Sequence, residues 1–445
     1  MSVIAGYMVP HPPLIIPEVG RGDEKEINNT TEAYEKVAEE IADLLPETVV
    51  IISPHNTCYG DYIHIRPEAQ IAGDFGRFRA PEIRVTSDSD AEFANALSEV
   101  GGELWGTEGG SGSDADHGTT IPMYFLERAY ERNNMEKNYK VVSIGISGLP
   151  LQTHYQLGEA IARTAAELNR KTVIIASGDL SHYLKADGPY GYREEGPKYD
   201  KRLMEIMESG AFYRLQEIEE EFLNSAGECG HRGFVMMSGA LERAAEDAGV
   251  EIRSRKLSYE GPFGVGYGIT AHHIGEDPYV ALARTSLENY VKTGKVLALP
   301  DNVPPEMRSR RAGAFVSIHK NGDLRGCIGT ISATRDNLAD EIIENAVSAA
   351  TRDPRFPAIE MSELPELEIS VDVLGDAEEI SSIDDLDVKR YGVIVTKGSR
   401  RGLLLPNLDG VDTPEYQVHI AKMKAGIAPG EEGVKLERFE VVRHQ

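Results

Sequence analysis

Short apolar runs alternate with longer amphipathic stretches through the first half of the chain. Val3 to Val9 predicts a buried strand, stopped by Pro12 and Pro13. From Thr31 to Leu45 the apolar residues Ala33, Val37, Ala38, Ile41, Leu44 and Leu45 recur at helical spacing. Val49 to Ile52 predicts the next strand. Ile63 with Ile65, and Ile83 with Val85, alternate with polar residues as edge strands do. Asp90–Val100 predicts a helix, Glu108–Asp116 a Gly/Ser/Asp-rich loop, and Pro122–Arg132 a second helix. Val141–Ile146 is a predicted strand, Gln152–Leu168 a helix and Thr172–Ala176 a strand. This alternation predicts an α/β domain with a mostly parallel central sheet flanked by helices. Leu184 to Pro197 is polar and rich in Gly and Tyr, a candidate lid. Helical patterns over 199–223 and 234–248 and closing strands over 252–259 and 264–272 complete a domain of residues 1–274.

The boundary falls at Gly275-Glu-Asp-Pro278. Beyond it, Tyr279–Thr293 reads as a helix, and Ala314–His319 and Leu324–Ile331 as a hairpin across Asn321-Gly322, a favoured tight-turn pair. Ala333–Thr351 predicts a helix, Leu367–Leu374 a strand, and 393–396 with 402–405 a strand pair. Strands and helices no longer alternate strictly, so residues 275–445 are expected to form an α+β domain.

The charge narrows the function. Of 445 residues, 46 are Lys or Arg and 73 are Asp or Glu, a net charge of −27. Phosphate backbones require the opposite balance, so nucleic-acid binding is not expected. No apolar run approaches the roughly 20 residues of a membrane helix, and no membrane partner is expected. Three cysteines, Cys58, Cys229 and Cys327, form no disulfide framework. With no signal-peptide pattern at the N-terminus, a cytoplasmic location is expected.

Candidate chemistry lies at the strand ends. His11, His55 and His182 each follow a predicted strand, and His117 precedes a predicted helix. Ligands of open α/β sheets bind at the carboxyl ends of the strands. His11 and His55 are candidate metal ligands, with Glu228 or Cys229 as the third. His182 and His117 would then act as acid–base groups, with Asp179 and Asp116 orienting them. In the second domain, Leu324-Arg-Gly-Cys-Ile-Gly-Thr330 places Cys327 beside Arg325, a candidate activated thiol, against the plainer reading of a buried structural cysteine.

The array His11-Pro-Pro, Ser53-Pro-His55-Asn, Asp116-His-Gly-Thr and Gly178-Asp-Leu-Ser-His182 resembles the LigB superfamily of class III extradiol ring-cleaving dioxygenases and its relative Memo. The resemblance implies non-haem Fe(II) on His11 and His55, an aromatic substrate with O2, His182 as the acid–base residue and His117 lining the pocket. Dioxygenases of the family use a glutamate as third ligand. Memo carries a cysteine in a segment similar to Cys229-Gly-His-Arg232, which would turn the site towards zinc or copper. The Arg-Gly-Cys motif, with Arg352-Asp-Pro-Arg-Phe-Pro357 and Lys424-Ala-Gly426, resembles the AMMECR domain. The two together look like a fusion of parts of the AmmeMemoRadiSam system, which implies a radical SAM protein as partner. Three functions follow as expectations: a dioxygenase-type oxidoreductase, a non-catalytic metal-binding or scaffold protein, and a Cys327-dependent transferase or hydrolase.

Overall fold

A computed structural model describes residues 2–110, 114–300, 303–408 and 410–444. The chain divides into two compact units, residues 1–275 and 276–445.

The first unit is built on a six-stranded sheet. Its order is Lys140–Ile144, Thr48–Ile52, Thr172–Ser177, Val3–Val9, Tyr267–Ile274, Ile252–Glu260. The first four strands run parallel, and the last two pair antiparallel. These parallel strands are continuous apolar runs because both faces are covered. Val50, Ile52, Val142 and Ile144 join one core with the helices Leu151–Glu167 and His231–Ala248. Val49, Ile51, Val141, Val173 and Ile175 join the other, with Asn28–Leu44 and His117–Arg132. Successive side chains point to opposite faces, so one sequence run feeds both cores. Four parallel strands also bring their C-terminal ends to a single edge.

Two local departures from the sequence reading have physical causes. The helix expected from Pro122 begins at His117, because the Asp116 carboxylate caps it by accepting from the Thr119 N–H at 3.2 Å. The long helix expected over 199–223 is broken. Gly210 adopts a left-handed φ of 69°, ending Glu195–Ser209, and a second helix forms only at Glu220–Ala226. Among the described residues no helix is long and apolar enough to cross a membrane.

The second unit is α+β. One antiparallel sheet has the order Asp323–Gly329, Ala314–Lys320, Leu367–Leu374, Val441–His444. One of its faces packs on the helices Pro278–Thr293 and Leu338–Thr351. The hairpin turns at Asn321 and Gly322, with φ of 53° and 82°, the left-handed pair that a two-residue hairpin turn requires. A second antiparallel sheet, Glu378–Ile380, Lys435–Phe439, Gly392–Lys397, Arg400–Leu404, carries the helix Pro414–Lys424.

Candidate metal centre

His11 lies two residues past the strand Val3–Val9, and His55 three past Thr48–Ile52. These two strands flank Thr172–Ser177 in the parallel sheet, so the two loops overhang the same edge. The Nε2 atoms of His11 and His55 face each other at 3.0 Å. Cys229, in the turn before the helix His231–Ala248, brings its Sγ to 3.6 Å from His11 Nε2. The three ligand atoms lie within 4.8 Å of one another. A tetrahedral ion with about 2.0–2.1 Å to nitrogen and about 2.3 Å to sulfur sets its donors roughly 3.3 to 3.6 Å apart. The donor set fits a metal ion. His11 is buried, whereas His55 is exposed, so the cluster opens to solvent on the His55 side.

The surroundings hold these donors in place. His11 Nδ1 pairs with Ser177 Oγ at 3.0 Å, leaving Nε2 for the cluster. The Asp179 carboxylate accepts from the His11 N–H at 2.8 Å, and the Asp179 N–H donates to Cys229 Sγ at 3.3 Å. One loop residue thus grips two donors. Ser53 Oγ accepts from the His55 N–H at 3.2 Å and donates to Asp116 at 2.5 Å.

Burial pushes His11 well below the ordinary histidine range, aided by repulsion from His55 and His117. It lowers His55 as well, and brings His117 down to about 4. These imidazoles are neutral near pH 7 and ready to bind a cation. Burial, and then the Asp179 carboxylate, push the Cys229 thiol up. An incoming metal ion must therefore displace its proton.

The other histidines stand around the cluster. The His117 ring stacks on His55 at 4.3 Å and lies 5.2 Å from His11. His182 Nδ1 meets the carbonyl of Gly227. A carbonyl only accepts, so Nδ1 carries a proton and the ring's orientation is fixed by that bond. The structure brings Cys229, and not Glu228, to the histidine pair. The Glu228 carboxylate accepts from the His231 N–H at 2.6 Å, at the start of a helix, and burial lifts it to about 7. Two aromatic side chains not singled out in the sequence flank the site. Phe78 lies 5.3 Å from His117 and Tyr190 5.2 Å from His182. Phe78 carries no sequence signal, whereas Tyr190 belongs to the candidate lid.

In the second unit, Cys327 is half-buried on the strand Asp323–Gly329. Arg325, expected to act beside Cys327, is tied to the segment that follows the helix Leu338–Thr351. Its guanidinium holds both oxygens of Glu363 at 3.0 Å and reaches the carbonyls of Pro357 and Ala358 at 2.8 and 3.3 Å. Four of its five N–H donors are engaged in these bonds.

Fold and site together define an α/β protein with a candidate metal centre at the strand ends, followed by an α+β unit. Residues 5–270 match the catalytic LigB subunit of aromatic ring-opening dioxygenase, and residues 280–444 match AMMECR1. The chain belongs to the LigB family and carries an AMMECR1 region fused behind it. A Clostridium acetobutylicum protein is 41% identical over 480 residues, covering 100% of both chains. A Thermotoga maritima protein is 53% identical over 173 residues, 39% of this chain and 99% of its own. A crystal structure of a Pyrococcus horikoshii protein shares 33% identity, with a TM-score of 0.35, over 37% of this chain and 88% of its own.

Proposed function

We propose that residues 1–275 form a metal-dependent oxidoreductase site in which His11, His55 and Cys229 hold the ion and a small phenolic compound is the substrate. The observation that carries this reading is the convergence of two neutral imidazoles and one sulfur within 4.8 Å, at an opening flanked by aromatic rings. The ion, when bound, supplies Lewis acidity and, if it is iron or copper, redox chemistry. Phe78 and Tyr190 are placed to hold a planar ring. His182, with Nδ1 fixed on the Gly227 carbonyl, accepts the phenolic proton at Nε2. His117, neutral and stacked on His55, keeps competing positive charge away from the cluster.

The third donor supports a second reading. Two histidines and a carboxylate are the set that serves Fe(II) oxygen chemistry, whereas thiolate favours zinc or Cu(I). With Cys229 in that place, the unit would bind metal without ring cleavage and serve a partner enzyme. By resemblance that partner is a radical SAM protein.

Metal analysis after anaerobic purification, together with oxygen uptake on a panel of catechols, tests both. Stoichiometric iron with uptake abolished in His182→Ala supports the oxidoreductase. Stoichiometric zinc or copper without uptake supports the second reading. Wild-type protein without metal, or metal retained in His11→Ala, contradicts both.

A further inference from the structure

A cavity remote from the metal centre lies at the far end of the helix His117–Arg132. His117, in the first turn, stands beside the ligand cluster, and Tyr130 lies about 20 Å further along the axis. The cavity has a volume of about 470 Å³, within the usual range for small-molecule sites. Glu127, Tyr130 and Glu131 line it from one face of that helix, at a spacing of three and four residues. Ser87 lines it from the strand Ala80–Asp88, on the same face as buried Val85. Lys137 and Tyr139 line it from the segment that leads into the strand Lys140–Ile144.

The floor of the cavity is polar and unsatisfied. Tyr130, Tyr139 and Ser87 are only 1%, 3% and 4% exposed. Among the described residues, none of their three hydroxyl groups has a hydrogen-bond partner. Burying a hydroxyl unpaired is unfavourable, so three of them around one cavity call for a partner inside it. Burial lifts the Tyr130 phenol to about 12 and raises that of Tyr139 as well, so both stay neutral near pH 7. The rim is acidic. Lys137 donates to the Glu127 carboxylate at 2.7 Å and to the Thr86 carbonyl. Its ammonium stands 5.5 Å from the centre of the Tyr139 ring, so the chain already rests one cation on this wall. That ion pair neutralises itself. Asp88 and Glu131 add two further carboxylates, and among the described residues no second cation lines the cavity.

We propose that this cavity binds a small organic amine in its protonated form, seating the ammonium on the hydroxyl oxygens of Tyr130, Tyr139 and Ser87, with Asp88 and Glu131 supplying the countercharge. An ammonium has three N–H donors and no acceptor, which matches three oxygens without partners. The apolar body of the amine rests on the two tyrosine rings, whose centroids lie 5.2 Å apart. The same rings attract the cation through their faces. The site is separate from the metal centre and does not rest on the function proposed there.

Isothermal titration calorimetry of the full-length chain tests it with three probes of similar shape. Benzylamine is a cation at pH 7, benzyl alcohol is neutral and benzoate is an anion. Benzylamine is expected to bind saturably, with a Kd on the order of 1 mM for so small a ligand. Benzyl alcohol is expected to bind at least about fivefold more weakly, since it lacks the charge and two of the three donors, and benzoate more weakly still. Tyr139→Phe keeps the ring and removes a hydroxyl that bonds nothing in the chain. It should leave the melting temperature unchanged or higher and weaken benzylamine about 2- to 10-fold. Glu131→Gln, at an exposed position, should weaken it about two- to fivefold, and added salt should erase that difference. Benzylamine bound as tightly by both variants as by the wild type is seated elsewhere, the metal centre included, and overturns the proposal. Equal affinity for benzyl alcohol, tighter binding of benzoate, or no saturable binding of benzylamine up to about 20 mM overturns it as well.

Discussion

Glu228 and Cys229 are adjacent, yet only one faces the histidines. The carboxylate turns to a helix N-terminus, where unpaired N–H groups and the helix dipole favour it. The sulfur turns to His11 and is held by the Asp179 N–H. The orienting groups should matter almost as much as the ligands. Ser177→Ala removes the partner of His11 Nδ1 and should lower metal affinity about 10- to 100-fold with the fold intact, measured by competition with a chelator. Acid should also destabilise the metal-free first unit. His11, His55, His64, His117, His154, His231 and His272 all have pKa values lowered by burial. Below about pH 6.5 the unfolded chain takes up protons on these seven that the folded chain refuses, so stability falls as pH falls. Asp179, Asp200, Glu228 and Glu242, raised by burial, act in the opposite sense between about pH 4 and 7. Seven against four, the melting temperature of the metal-free protein should drop between pH 6.5 and 4.5. A rise over that interval would contradict the assignment of neutral buried imidazoles.

The site depends on how closely two elements approach. Gly178, just past the strand Thr172–Ser177, packs on Gly230, just before the helix His231–Ala248. A Cβ on Gly178 would lie 2.2 Å from the Gly230 Cα. No side chain can yield there, because both partners are backbone. Gly178→Ala should cost about 3 kcal/mol of stability and displace Cys229 from the histidine pair, so calorimetry and metal stoichiometry should fall together. The parallel strands were legible as short apolar runs, and their ends located His11, His55 and His182, because periodicity and strand direction are local properties. The third ligand was not legible. Glu228 and Cys229 are neighbours in sequence, and the Asp179 N–H that holds the sulfur belongs to a segment 50 residues away. The pairing of Arg325 with Glu363 was likewise hidden, since the two lie 38 residues apart in sequence.

The whole molecule is two units with separate cores. Residues 276–445 bury their own cluster around Val316, Ile342 and Val371. Expressed alone they should fold cooperatively, with sigmoidal thermal unfolding by circular dichroism. A non-cooperative melt would show that the second unit needs the first. The central claim concerns the first unit alone: a metal ion bound by His11, His55 and the sulfur of Cys229. Its most direct test is the electronic spectrum of the cobalt(II)-loaded full-length protein. An intense near-ultraviolet sulfur-to-cobalt charge-transfer band is expected in the wild type and in Glu228→Gln, and is expected to vanish in Cys229→Ser. A spectrum with no such band, or one that disappears in Glu228→Gln and survives in Cys229→Ser, would contradict the account.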